Sequence, residues 1–323
     1  MSGALAPYVA ILGRGPGRSR SLTLEEAHAA LSIALSGEAE PEAVGALLML
    51  MRMKGETAEE IAGFVRAARS FIPLIDVKPD LDWPSYAAGR TRGHPWFLLS
   101  AKLVAQAGFS VLLHGWNSHQ NPIASVRAAL PDLGIASAGS LDEVAQIMSR
   151  DGIAYLPLEV ASSPLFRLLR LREVLGLRSC INTVLRVLNP AKAAASVQGV
   201  FHPPYRLLQA DAGAILGQET LTVLKGGGGE FERHPGKDVA LFGLRQGTPW
   251  EGSAKGFWDE TRRLAEATTA EGAPVALWNG ALQDPFAEAI VLATAATALE
   301  SLGEVDGMAL ATKLWQTRSP IET

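Results

Sequence analysis

Apolar side chains recur at helical spacing through the first seventy residues of the chain. The segment "SLTLEEAHAALSIALSG" (21–37) opens with Ser21 or Thr23 as a capping residue, and two glutamates follow in its first turn. The segment "EPEAVGALLMLMRMKG" (40–55) has a proline at its start and a glycine at its end, and "TAEEIAGFVRAARSF" (57–71) carries one apolar stripe. Three amphipathic helices in a row predict a small all-helical domain.

The pattern changes after "IPLIDVKPDLDWP" (72–84), a segment with three prolines that we interpret as a linker. Beyond it, short apolar runs typical of buried strands alternate with helical stretches. The runs lie at 110–114, 153–157, 194–201, 220–226, 238–243 and 274–280, and the helical stretches at 96–107, 141–149, 203–216 and 285–302. Strands separated by helices predict crossover connections. The expected fold class is α/β, with a small all-helical N-terminal domain and a larger α/β domain that has a mostly parallel central sheet.

We place the helical domain at 1–73, joined in space by about 163–189, and the α/β domain at 74–162 and 190–323. In open parallel sheets, ligands bind in the loops beyond the carboxyl ends of the strands. Three stretches then become candidates: "AAGRTRGHPWFLLSAKL" (87–103), "HGWNSHQNP" (114–122) and "KGGGGEFE" (225–232).

Composition narrows the class of protein. The chain has 323 residues, of which 48% are hydrophobic and 19% are charged, as in a soluble globular protein. Cys180 is the only cysteine, which excludes an intrachain disulfide and a cysteine-based zinc site. The basic residues of the N-terminus follow its apolar patch, the reverse of a signal peptide, and polar residues interrupt the uncharged stretch 103–126, so no membrane span is expected. These features predict a cytoplasmic protein.

Positive charge is unevenly distributed, although the net charge is −4. Residues 1–24 hold three arginines and no acid, and residues 163–190 hold five arginines against the single acid Glu173. Such patches attract phosphate-bearing partners, or they are ordinary solvated faces of helices. The arginines of the second stretch are Arg167, Arg170, Arg172, Arg178 and Arg186.

Several motifs resemble those of anthranilate phosphoribosyltransferases, which share their fold with the family 3 glycosyltransferases and the pyrimidine nucleoside phosphorylases. "MRMKGETAEEIAG" (51–63) resembles a signature of the family's helical domain. "REVLGLRSCINTVLRVLNPA" (172–191), "GVFHPP" (199–204) and "VLKGGGGEFE" (223–232) resemble motifs of its α/β domain, in the same order along the chain. The resemblance implies the phosphoribosyltransferase fold and a homodimer that pairs through the helical domain.

The family transfers a phosphoribosyl group from a magnesium-bound pyrophosphate donor to anthranilate. The resemblance therefore implies a glycine-rich pyrophosphate loop, carboxylates that hold Mg²⁺, and arginines with a His/Asn set for the acceptor. The pyrophosphate loop of the family corresponds to residues 88–92, where only Gly89 remains and Arg92 replaces an aspartate. Arg90 and Arg92 retain an affinity for phosphate without metal. An ordinary basic surface loop is the alternative.

The rest of the machinery is only partly present. Glu230 matches the second metal carboxylate, but Gly229 stands in place of the first, so Mg²⁺ is expected only if transferase activity is retained. The glycine run 226–229 is otherwise a flexible turn. His114 and Gly115 match the family, whereas Trp116 and Asn117 replace its Asn-Arg pair.

In the acceptor motif, Asn182 matches the family's asparagine, but Leu185-Arg186 replaces its Gly-Pro pair. Arg167 corresponds to the acceptor arginine only if one residue is deleted. Trp116 either stacks on a base or sugar or packs inside the protein, and Trp96 is a second candidate for stacking.

Two hypotheses follow for the function. The first is a protein that has lost anthranilate phosphoribosyltransferase activity and binds a phosphate-rich ligand, with nucleic acid as the first candidate. The second is an active glycosyl or phosphoribosyltransferase, or a phosphorolytic enzyme, with a different donor or acceptor. Predicted anion-binding residues are Gly89, Arg90, Arg92, His114, Gly115, Arg167, Arg170, Arg172 and Arg178, and predicted stacking or positioning residues are Trp116, Asn117 and Asn182.

Overall fold

A computed structural model describes residues 3–87, 93–116, 121–260 and 262–321. Its helices are α1 Ala6–Gly13, α2 Leu24–Ser36, α3 Pro41–Lys54, α4 Ala58–Ser70, α5 Phe97–Gln106, α6 Val126–Asp132, α7 Leu141–Asp151, α8 Leu158–Ala161, α9 Ser163–Leu175, α10 Ile181–Val187, α11 Tyr205–Ile215, α12 Ala273–Trp278, α13 Pro285–Ser301 and α14 Gly307–Thr317. Its strands are β1 Leu81–Ser85, β2 Val111–Gly115, β3 Ile153–Pro157, β4 Ala195–Val200, β5 Thr220–Lys225, β6 Val239–Arg245 and β7 Thr248–Ala254.

Capping boxes start two of the predicted N-terminal helices. In α2 the Thr23 hydroxyl accepts from the backbone N–H of Glu26, and the Glu26 carboxylate accepts from the N–H of Thr23. In α4, Thr57 and Glu60 repeat the arrangement. Each box satisfies two backbone N–H groups that have no partner inside the helix. The predictions for α2, α3 and α4 are confirmed, with bounds that differ by up to three residues at the start.

The N-terminal helices share one apolar core with a distant part of the chain. Leu31 of α2, Leu47 of α3 and Phe64 of α4 are fully buried in it. Leu165 of α9 and Val184 of α10 belong to the same cluster, so the arginine-rich segment lies against the helical bundle. This packing places the segment between the bundle and the sheet.

The sheet has seven strands in the order β3-β2-β1-β4-β5-β6-β7. The strands from β3 to β5 run parallel, and β6 and β7 are antiparallel additions at one edge. The prediction of an α/β fold with a mostly parallel sheet is confirmed. The predicted strands between 110 and 243 correspond to β2, β3, β4, β5 and β6.

Two expectations about elements were wrong, and one strand was not predicted. Residues 81–84, placed in the linker, lie in the central strand β1, and the hairpin strand β7 was not predicted. Pro84 fits within β1 because β4 pairs with this strand at Leu81 and Asp82, so no ladder hydrogen bond is needed from residue 84 on that side. Residues 274–278 of the apolar run 274–280 belong to α12, with Pro274 in its first turn. A strand was expected there because a short apolar run has no period that separates strand from helix.

Aromatic side chains fill the interior between the sheet and α5. The Trp83 ring stacks on Phe97 at 6.1 Å between centroids and meets the edge of Phe231 at 5.4 Å. Trp96 is fully buried, which contradicts its proposed role as a stacking surface for a base. In the described ranges, no helix is both long and apolar enough to cross a membrane.

Candidate anion-binding site

The strand order creates a crevice beside β1. The chain proceeds from β1 to β2 and β3 on one side, and it returns to β4 and β5 on the other. Adjacent connections therefore leave in opposite directions at the carboxyl ends of β1 and β4. Open parallel sheets bind ligands at such a switch point.

A buried carboxylate closes the base of this crevice. The Glu230 Oε1 atom accepts hydrogen bonds from the Ser85 hydroxyl at 2.9 Å and from the backbone N–H of Ala87 at 3.1 Å. A Cβ on Gly199 would lie 2.0 Å from the Glu230 carbonyl carbon, so only glycine lets this segment approach β4. Glu232 accepts from the N–H of Phe97 in the same way. Both carboxylates thus fasten the segment that follows β5 to neighbouring elements.

The residues at this point do not fit the family's magnesium site. Position 229 has no carboxylate, and its φ of 97° is strained for any residue other than glycine. The Oε1 atom of Glu230 is engaged by β1, and no group of three or more His, Cys, Asp or Glu side chains that could hold a metal occurs among the described residues. We therefore derive no step through Mg²⁺.

A cavity of about 330 Å³ adjoins the crevice on the side of the helical bundle. Its described lining contains four arginines and no carboxylate: Arg52, Arg172, Gly176, Leu177, Arg178, Ser179, Asn182, Thr183, Arg186, Val200, Phe201, His202 and Tyr205. We call it the arginine cavity. Arg52 donates to the backbone carbonyl of Arg178 at 2.8 Å, which fixes two of the four relative to each other.

Positive charges oppose one another in the arginine cavity. Burial lowers the pKa of Arg178, and the charges of Arg172 and Arg52 lower it further. Burial also lowers the pKa of Arg186, although the Glu230 carboxylate acts in the opposite direction. A bound anion would relieve this repulsion, and guanidinium groups match phosphate oxygens with paired N–H donors.

A second cavity, of about 480 Å³, lies on the other side of Phe201. It is lined by the glycines that follow β5 and by four cationic side chains, Arg206, Lys225, Lys237 and Arg263, together with Glu232 and Asp238. Phe201 lines both cavities and is 45% exposed. Its ring meets that of His202 at 4.8 Å between centroids. An accessible aromatic ring thus stands between two basic cavities.

Comparison with known proteins agrees with the fold. Residues 7–72 match the helical bundle domain of a glycosyl transferase family. The chain is 32% identical to the anthranilate phosphoribosyltransferase of Brucella suis over 225 residues, which are 69% of this chain and 65% of that protein. The chain is therefore similar to anthranilate phosphoribosyltransferases, and its helical domain is similar to that of a glycosyl transferase family. The matched region spans just under two thirds of the length of the Brucella relative.

Solved structures of the family share the whole fold. The anthranilate phosphoribosyltransferase of Thermus thermophilus superposes with a TM-score of 0.80 at 24% identity, covering 97% of this chain and 94% of that chain. The Saccharomyces cerevisiae protein, in complex with PRPP and Mg, gives 0.78 at 17% identity, covering 98% and 93%. At these identities the likeness concerns the fold alone.

The structure divides the predicted arginines into those that line the arginine cavity and those that do not. Arg172 and Arg178 line the arginine cavity together with Asn182. Arg167 and Arg170 lie on α9 outside the described lining, and Arg170 is paired with Glu173 at 2.8 Å. Gly89, Arg90, Arg92 and Asn117 lie outside the described residues. Their roles remain predictions.

His114 and Gly115 have structural roles inside the sheet, and their role in binding anions stays a prediction. His114 is buried, with Nδ1 at 2.9 Å from the Tyr86 hydroxyl and Nε2 at 3.1 Å from Asp82 Oδ1, so its ring faces internal partners on both sides. A Cβ on Gly115 would lie 2.1 Å from the Ser85 carbonyl oxygen. Glycine is needed there for close pairing of β1 and β2.

The structure also shows the positions of Trp116, which was a predicted stacking residue, and of Arg186, which was not predicted as a site residue. Trp116 is half-buried and packs edge-on against Phe166 at 5.4 Å between centroids. Arg186 was not among the predicted site residues, yet it lines the arginine cavity and is only 9% exposed. The signal was present in the sequence, since Leu185-Arg186 replaces the family's Gly-Pro pair.

Proposed function

We propose that this protein binds a phosphate-rich ligand, nucleic acid in the first place, and does not transfer phosphoribosyl groups to anthranilate. The observation that carries the proposal is the arginine cavity, where four guanidinium groups line 330 Å³ beside the switch point without a carboxylate in the described lining. Such a cavity favours phosphate over a neutral ligand.

The second basic cavity supports a polymeric ligand over a single phosphate. Two sites of positive charge on either side of an exposed aromatic ring match a strand in which phosphates repeat and a base lies between them. Stacking on Phe201 would add affinity without reading sequence, because every base has an aromatic face. We therefore expect binding that is largely independent of sequence.

Two differences support the loss of anthranilate phosphoribosyltransferase activity. Gly229 cannot supply the first metal carboxylate, and Arg186 stands at the sequence position where the family has a proline. A fluorescence assay that follows anthranilate in the presence of PRPP and Mg²⁺ should show no consumption above the uncatalysed rate. Turnover by the purified protein would overturn this part of the proposal.

Binding is tested by fluorescence anisotropy with a labelled oligothymidylate at two salt concentrations. The double variant Arg172→Ala/Arg178→Ala should weaken binding, and it should lower the salt slope by about 0.7 for each phosphate that the variant no longer neutralises. The matched control is Arg66→Ala/Arg150→Ala, which removes the same charge near the amino-terminal ends of β5 and β3, away from the cavity.

The two variants separate a site from general charge. Weakening by the cavity variant alone supports the proposal. Equal weakening by both variants would show nonspecific attraction to the whole surface, and absence of binding at low salt would contradict nucleic acid as the ligand.

A second candidate is retained glycosyl or phosphoribosyl transfer with another donor or acceptor. It is favoured by Glu230, which remains at the switch point and is held by Ser85 and Ala87. Magnesium-dependent thermal stabilisation by PRPP would support this candidate, and stabilisation that is the same in EDTA would count against it.

A further inference from the structure

Arg186 occupies a position that is unusual for a charged residue. It lies in α10, is 9% exposed and reaches the crevice between β1 and β4. Its Nη2 atom donates to the Tyr86 carbonyl at 3.3 Å, at the carboxyl end of β1. A Cβ built on Gly229 would lie 3.2 Å from the same atom. The guanidinium therefore stands directly beside the backbone position from which the first metal carboxylate is missing.

Arg186 combines few internal hydrogen bonds with a position in the lining of the arginine cavity. A guanidinium has five N–H donors. Within the described part of the chain the Tyr86 carbonyl is its one hydrogen-bond acceptor, and the side chain lines the arginine cavity. The Glu230 carboxylate balances part of its charge, but buried N–H donors that lack an acceptor among the described residues still cost free energy. The arrangement is explained if the missing acceptors come from a ligand.

The same position is unsuitable for a divalent cation. A fixed positive charge at Arg186 repels a metal ion next to Gly229, and Glu230 gives its Oε1 atom to Ser85 and Ala87. Attraction between Glu230 and Arg186 supplies the charge balance that a metal would otherwise give to this carboxylate. The presence of Arg186 thus has two effects: its positive charge balances Glu230 in place of a metal ion, and the same charge repels a metal ion from this position.

We propose that the buried Arg186 guanidinium takes the place of the divalent cation in this protein, so that the site binds phosphate and pyrophosphate groups without metal. The inference rests on the proposed function. It adds that the positive charge that binds the anion is a side chain of the protein and not a metal ion that must be bound first. It follows that binding does not depend on the supply of Mg²⁺.

The test uses inorganic pyrophosphate as the probe, measured by isothermal titration calorimetry in EDTA and again with added MgCl₂. The wild-type protein should bind in EDTA, and MgCl₂ should not strengthen binding. Arg186→Gln should weaken binding in EDTA by about tenfold, as expected for removal of charge-assisted hydrogen bonds, and Arg186→Lys should recover part of it. Arg150→Gln is the control, because that side chain is exposed and pairs with Asp151.

Thermal unfolding of each variant shows whether it is folded, and Arg186→Lys keeps the test decisive if Arg186→Gln is not. Pyrophosphate binding that requires MgCl₂, or that is unchanged in Arg186→Gln, would overturn the inference. If oligothymidylate still binds the wild-type protein when one of these two results is found, the proposed function stands and only the inference about Arg186 fails. If neither probe binds the wild-type protein, the proposed function fails as well.

Discussion

Buried polar side chains beside the switch point are held by partners that lie on neighbouring strands. Asp82 accepts from the Ser196 hydroxyl at 2.7 Å and faces His114, which in turn meets Tyr86. Burial raises the pKa of Tyr86 well above its usual value, so this hydroxyl stays protonated and able to donate. The network fixes the end of β1, next to which the Tyr86 carbonyl accepts a hydrogen bond from Arg186.

Replacement of His114 should therefore affect stability more than ligand affinity. We expect His114→Ala to lower the free energy of unfolding by about 3 kcal/mol, because it leaves the buried Asp82 and Tyr86 each short of a partner. Urea denaturation measures the change. His202→Ala is the control, since that ring is exposed, and a decrease below about 0.5 kcal/mol is expected for it. Equal decreases in the two variants would contradict the structural role of His114.

Phe201 is the residue that distinguishes a nucleic acid strand from a single phosphate. Phe201→Ala should weaken oligothymidylate binding by about tenfold, in the range measured for base stacking on aromatic side chains. It should leave pyrophosphate binding unchanged. Phe257→Ala is a matched control because the two rings are exposed to 45% and 47%. If oligothymidylate affinity does not change in Phe201→Ala, the base does not stack there.

Single residues were predictable where the sequence matches the motifs of the family that it resembles. Asn182, Arg172 and Arg178 were identified by motif position, and they line one cavity. Arg186 was missed as a site residue, because sequence does not show that the guanidinium turns inward to Tyr86. The buried contacts of His114 could not be predicted, because its partner Asp82 lies in a segment that was assigned to the linker.

At the level of elements, the chain's own local signals determine the helix starts. Arg20 pairs with Glu26 at 2.6 Å, and this contact together with the Thr23 N–H lowers the pKa of Glu26 to about 2 from 4.5. The Arg20–Glu26 pair and the hydrogen bond from the Thr23 N–H both involve residues of the first turn of α2 or of the few residues before it. They explain why α2 was predictable from sequence.

The pKa of Glu26 gives a pH dependence with a definite sign. Because the pKa is lower in the folded state, the stabilisation is complete above about pH 5 and disappears as the pH falls towards 2. Glu26→Gln keeps a capping side chain but removes the charge. The wild type should exceed it in unfolding free energy by less than about 1 kcal/mol at pH 7, since the pair is exposed, and the difference should vanish near pH 2. A difference that grows on acidification would contradict this assignment.

Strands were less predictable than helices, and the reasons are physical. The proline at position 84 suggests a loop, and only the short pairing of β1 with β4 makes it compatible with a central strand. The sequence of β7 alternates exposed and half-buried residues at the sheet edge, so it lacks an apolar run. Periodicity detects burial, and neither segment has the burial pattern of a simple interior strand.

Over the whole molecule, the site is assembled from parts that are distant in sequence. Ser85 and Glu230 are separated by 145 residues and Tyr86 and Arg186 by 100, yet each pair is hydrogen-bonded. The fold class and the α/β order could be predicted because they follow from local patterns and a family resemblance. The two cavities that share Phe201 could not, because they depend on the packing of α10 against β1 and β4.

The most direct measurement is a crystal structure of the protein grown with a short oligothymidylate in EDTA. We predict one phosphate within hydrogen-bonding distance of Arg178 and Arg186 in the arginine cavity, a base on the face of Phe201, and a second phosphate in the cavity lined by Lys225 and Arg206. An oligonucleotide bound elsewhere on the surface, or one that enters the site only when Mg²⁺ is restored beside Glu230, would contradict the account.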